Sequence, residues 1–105
     1  MSKYHATPIY IDGVRFASKA EGRRYGELRL LERAGVISQL ELQPRYPVVV
    51  NNVQICRYLA DFRYVEGDRT VIEDVKGMVG GTALYRLKKR LVEALYGITI
   101  TEVRA

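Results

Sequence analysis

With 105 residues, 48% of them apolar, the chain has the length and composition of one folded domain with a modest core rather than a disordered segment. A single cysteine, Cys56, excludes a disulfide framework and a cysteine-rich zinc site, and no apolar run has the length of a membrane span or a signal region. The net charge of +5 suits a polyanionic partner, and the cysteine usage points to a cytoplasmic setting.

In chain order, residues 1–7 read as a flexible tail that holds the only histidine, His5. Residues 8–17 form a hairpin signal, with Asp12-Gly13 supplying the positive φ angles of a tight turn. Residues 18–105 then read as one unit. Ser18 opens a helix running to about Ala34, with Gly35 as its stop. Ile37–Val50 alternates in two stretches around Gln43-Pro44, and Asn51-Asn52 turns the chain back into a run that continues to Val65. A second strand run, Thr70–Lys76, follows a short turn. After a glycine-rich loop, Gly77–Gly81, a helix from about Thr82 to Tyr96 places Leu84, Leu87, Leu91 and Leu95 on one stripe. Gly97 ends it, and Ile98–Val103 reads as a last strand. The expected class is α/β: a small hairpin, then helix, three antiparallel strands, helix and strand, in a sheet flanked by helices.

Two aspartates stand out in this layout. A symmetric turn at Glu66–Arg69, whether of two or four loop residues, sets Asp61 opposite Asp74. Directly opposed residues have Cβ atoms about 4.5–5.5 Å apart. Two carboxylates that close repel unless a cation or proton lies between them. Side-chain alternation gives Asp74 and Lys76 one face and Glu73 the other. Lys76 is then either a strand lysine paired with a neighbouring aspartate or a cation placed for chemistry.

Glu21 has two compatible readings. Ser18 and Glu21 have the spacing of a capping box, and Glu21, Tyr25 and Leu28 share a helical stripe aimed at the core. A carboxylate aimed at a sheet is costly unless compensated, and an Asp61/Asp74 cation would compensate it. Lys19, Arg23 and Arg24 near the start of the first helix, and Arg86, Lys88, Lys89 and Arg90 on the second, are either solvated faces or phosphate-attracting clusters. Tyr4, Tyr58 and Tyr85 are either core rings or base-stacking rings. The glycine-rich loop lacks the Gly-Lys-Ser/Thr ending of a nucleotide-binding loop, which excludes a nucleotide cofactor; it is either a contact for a DNA backbone or a plain loop after a strand.

A helix glutamate, an aspartate on one strand and Asp-x-Lys on the next resemble the PD-(D/E)XK nuclease superfamily, with its restriction-endonuclease-like αβββαβ core and mixed sheet. Lys3-Tyr4, residues 12–16, Ser18–Glu21, Leu42-Gln43-Pro44, Ala60-Asp61-Phe62 and Glu73–Gly77 resemble a family of small phage-encoded endonucleases grouped with Holliday-junction resolvases. Ala60 stands where the superfamily name implies proline. The resemblance implies that Asp61 and Asp74 ligate Mg²⁺, with Mn²⁺ able to substitute, and that the Val75 carbonyl and Glu21 complete the shell. It implies a catalytic role for Lys76, a supporting one for Gln43, and a reach toward the active face for Lys88. The expected activity is endonucleolytic cleavage of branched or duplex DNA by a homodimer, in a host cytoplasm if phage-encoded. The alternatives are a non-catalytic DNA-binding module on the same fold, or a nicking nuclease of repair or transposition.

Overall fold

The computed structural model describes residues 7–77 and 80–104. His5, Tyr4 and most of the expected tail lie outside the described residues, as do Met78 and Val79 of the glycine-rich loop. Strands β1 (Ile9–Ile11) and β2 (Val14–Phe16) form the first hairpin, turning through Asp12 and Gly13 at φ 53° and 77°. Helix α1 (Lys19–Arg33) follows, and Gly35 at φ 78° redirects the chain after it. Strands β3 (Ser38–Leu42), β4 (Arg45–Val50), β5 (Val53–Leu59), β6 (Phe62–Glu66) and β7 (Arg69–Lys76) come next. Helix α2 (Ala83–Tyr96) and strand β8 (Ile100–Arg104) complete the chain.

The main sheet has the order β3-β6-β7-β8, with β8 parallel to β7 and the other pairs antiparallel. Strand β7, helix α2 and strand β8 therefore form a crossover unit, the route by which two parallel strands can be joined. Strands β4 and β5 stand apart as their own hairpin, closed by Asn51 and Asn52 at φ 49° and 66°. This is the expected mixed α/β core, with one correction. The run expected to continue through Asp61 is broken, because β5 ends at Leu59 and β6 begins at Phe62. The break hands the chain from the hairpin to the main sheet.

Two apolar clusters cover the two sheet faces. Phe16, Tyr25, Leu28, Ile37, Phe62 and Tyr64 pack beneath α1 and the first hairpin. Tyr46, Val48, Tyr58, Ile72, Val92 and Ile100 pack between α2, the second hairpin and the opposite face. Successive β7 residues feed alternate clusters: Val71 and Val75 join the first, Ile72 the second. Gly22 lies where α1 meets the first hairpin; an added Cβ would stand 2.4 Å from Ile9 Cδ1. Glycine costs about 1 kcal/mol against alanine inside a helix, and this close approach is what it permits here.

Of the leucine stripe on α2, only Leu91 packs against the core. Leu84, Leu87 and Leu95 are exposed, and Tyr85 and Val92 are the buried residues of the helix. Tyr58 and Tyr85 are core rings rather than exposed stacking platforms. The helix turns its tyrosine face inward because that ring lies beneath Lys76 and its hydroxyl meets β8. Val92→Ala should therefore cost about 2 kcal/mol in urea unfolding, the transfer of two carbons plus a cavity. Leu87→Ala should change stability by less than about 0.5 kcal/mol.

Candidate active site

Register decides the geometry of the site. Strands β6 and β7 pair Phe62 with Glu73, Tyr64 with Val71 and Glu66 with Arg69 around Gly67-Asp68, the symmetric closure expected from sequence. Asp61 sits one step beyond the last pair. Its amide donates to the Glu73 carbonyl at 3.0 Å, and its Oδ2 accepts from the Val75 amide at 2.7 Å. The Asp61 carboxylate is thereby held against the Asp74-Val75-Lys76 segment.

Glu21 reaches Asp61 from the start of α1. The Ser18 hydroxyl accepts from the Glu21 amide and donates to the Glu21 carboxylate, each at 3.2 Å. The capping box thus forms through the serine hydroxyl and fixes where the carboxylate begins. Glu21, Gln43 and Asp61 line one small cavity of about 80 Å³, walled by Val14, Phe16 and Leu42. The Gln43 main-chain N–H donates to the Asp61 main-chain carbonyl at 3.0 Å, which fixes Gln43 beside the site and leaves its side-chain amide out of this bond. Burial pushes the Asp61 carboxyl up to about 7; the Val75 amide opposes this and the Glu21 carboxyl, within hydrogen-bonding reach, adds to it.

Asp74 and Lys76 lie on the α2 side of β7. Lys76 Nζ is 3.4 Å from Asp74 Oδ1 and 3.8 Å from the centre of the Tyr85 ring, a cation–π contact. Asp74 is 3% exposed, and its Oδ2 is buried with no hydrogen-bond partner among the described residues. Burial pushes its carboxyl up to about 6, with Lys76 opposing. Among the described residues no three acidic, histidine or cysteine side chains converge on one point. Asp61, held to the Val75 amide, shares its cavity with Glu21, whereas Asp74 lies on the α2 side of β7, so among the described residues the three expected carboxylates do not form one cluster. Two carboxylates and a main-chain carbonyl suit Mg²⁺, which keeps several of its waters. Of these donors, the Asp74 oxygen without a hydrogen-bond partner among the described residues is the one left open to such an ion.

Glu73 faces α1, as side-chain alternation requires. Its carboxylate accepts from Arg24 at 2.9 and 2.7 Å and from the Tyr64 hydroxyl. The hydrogen bonds that Arg24 donates to Glu73 raise its guanidinium above its usual value, with burial opposing. Burial, then the Glu73 bond, pushes Tyr64 up to about 12. Arg24 therefore points inward to a buried carboxylate, not outward with Lys19 and Arg23, which are exposed. Lys88 is also corrected: its ammonium donates to the Arg57 carbonyl on β5 at 3.3 Å, away from the carboxylates. Lys89 is the α2 lysine on the site's side, 3.5 Å from Glu102, whose Cα pairs with that of Asp74. Arg86 folds back to the Gly81 carbonyl at 2.7 Å. Glu102, joined to the Tyr85 hydroxyl at 2.9 Å, escaped the sequence reading because a crossover strand's register has no local turn to reveal it.

The chain belongs to the DUF1064 family, described as a protein of unknown function, whose model matches residues 1–103. No curated protein and no solved structure matches it.

Glu73 and Asp74 are adjacent, both buried, and should respond oppositely to substitution. Glu73→Ala strands Arg24 and Tyr64 and should cost about 3–5 kcal/mol, the range for breaking a buried ion pair. Asp74→Asn removes a charge whose second oxygen is unsatisfied; its thermal midpoint should be unchanged or higher. Calorimetry on both variants checks the contrast.

Proposed function

We propose that this protein is a metal-dependent DNA endonuclease that hydrolyses phosphodiester bonds in branched, recombination-type DNA. The observation that carries the reading is the buried Asp74 carboxylate. One oxygen is held by Lys76, the other lacks a hydrogen-bond partner among the described residues, and a second carboxylate, Asp61, is fixed against the same strand. Such an arrangement costs stability, and a bound cation is what would repay it. Asp61, Asp74 and the Val75 carbonyl would hold Mg²⁺ or Mn²⁺, with Glu21 beside Asp61 completing the set. Bound there, the ion supplies charge neutralisation at the phosphoryl oxygens and a water of lowered pKa.

The chain's own groups do the rest. Lys76, anchored by Asp74 and the Tyr85 ring, presents a fixed positive charge to the phosphoryl group as negative charge builds on it. The Gln43 amide, on the rim of the Glu21–Asp61 cavity, orients water. The basic charge of the chain draws the phosphate backbone without reading sequence. Two copies about a two-fold axis would cut opposed strands of a junction symmetrically.

Cleavage of a labelled four-way junction and a linear duplex of matching sequence tests this. Nicking of the junction is expected with Mg²⁺ or Mn²⁺ and none with chelator. Asp74→Ala and Lys76→Met should each lose about 100-fold or more in rate, the scale for removing one preorganised electrostatic group. Junction binding with no cleavage in either metal, insensitive to Asp74→Ala, would replace the enzyme by a DNA-binding module on the same fold.

A further inference from the structure

Behind the carboxylate site, on the α1 side of the sheet, a cleft of about 220 Å³ runs between α1 and the ends of β7 and β8. Val75, Val103 and Ala20 supply its apolar floor and Arg23, Arg24 and Arg104 its cations. Arg24 is committed to Glu73 and, at 3.2 Å, to Glu27, which also lines the cleft. Arg23 and Arg104 are exposed, and among the described residues neither forms a salt bridge. They come from different elements, the second turn of α1 and the end of the sheet's edge strand, and they meet at one opening.

We propose that this cleft is a subsite for a DNA backbone phosphate, with Arg23 and Arg104 as its anion-binding groups. The proposal rests on the nuclease reading and specifies how the substrate strand lies on the protein. Two junctions with the carboxylate site support it. Ala20 lines the cleft while the next residue, Glu21, lines the Asp61 cavity. Val75 lines the cleft while its amide holds Asp61. The cleft and the Asp61 cavity therefore adjoin at the start of α1, and the cleft and the Asp61 carboxylate share the end of β7. Guanidinium forks match phosphate oxygens, and the valine floor suits a deoxyribose.

Anisotropy titrations of a labelled DNA junction in chelator, over a range of salt, read this contact apart from cleavage. Arg23→Gln with Arg104→Gln should weaken binding about tenfold and reduce the slope of log affinity against log salt by about one. Arg69→Gln, at the far end of the β6–β7 hairpin, removes one charge from elsewhere and should leave the slope nearly unchanged. Circular dichroism confirms folding of these exposed-residue variants. If the wild type cleaves and the double variant binds with an unaltered slope, or Arg69→Gln matches it, the cleft assignment falls and the nuclease stands. If the slope drops as expected but no metal supports cleavage, the nuclease reading falls and the phosphate site stands. Absence of salt-dependent DNA binding by the wild type overturns both.

Discussion

The buried Glu73 carboxylate is the constraint on which the arrangement depends. Held by Arg24 from α1 and Tyr64 from β6, it admits only one facing of β7. Turned the other way, Glu73 would enter the apolar cluster of Tyr46, Val48, Ile72 and Val92 and lose both Arg24 and Tyr64. The same ion pair ties the helix that carries Glu21 to the strand that carries Asp74. Strand phase, helix position and the facing of Asp74 and Lys76 thus follow from one interaction.

Local chemistry made the hairpin half of the site legible. Gly67-Asp68 closes β6 and β7 symmetrically, and side-chain alternation then separates Glu73 from Asp74 and Lys76. Ser18 and Glu21 announced the helix start for the same reason, since capping is a matter of a few neighbouring residues. What escaped the reading depends on tertiary packing. Leucines at helical spacing on α2 imply an apolar face, but periodicity does not say which face meets the sheet; Tyr85 and Val92 do. Arg24 looked like surface charge because its partner lies far along the chain. Lys88 and Lys89 are adjacent, and only the docking angle of α2 sends one to the second hairpin and the other to Glu102.

Lys76 shows how the two helical layers serve one point. A lysine is a flexible point charge, and placing it requires anchors. Asp74 and the Tyr85 ring provide two of them. The ring is fixed by its hydroxyl bond to Glu102, and Lys89 braces Glu102 in turn. Strand β8 and helix α2 supply no carboxylate to the Asp61 cavity, yet they position the cation beside it.

The glycine in the second turn of α1 has a consequence for the cavity that Glu21 and Asp61 share. The first hairpin seats Ile9 and Ile11 against the bare Cα of Gly22, and its next strand supplies Val14, Arg15 and Phe16 to that cavity's wall. One absent methyl group therefore lets the hairpin lie this close to the helix, and a side chain at position 22 would press on those isoleucines and reach the cavity wall through the hairpin, without altering any of the residues that line it.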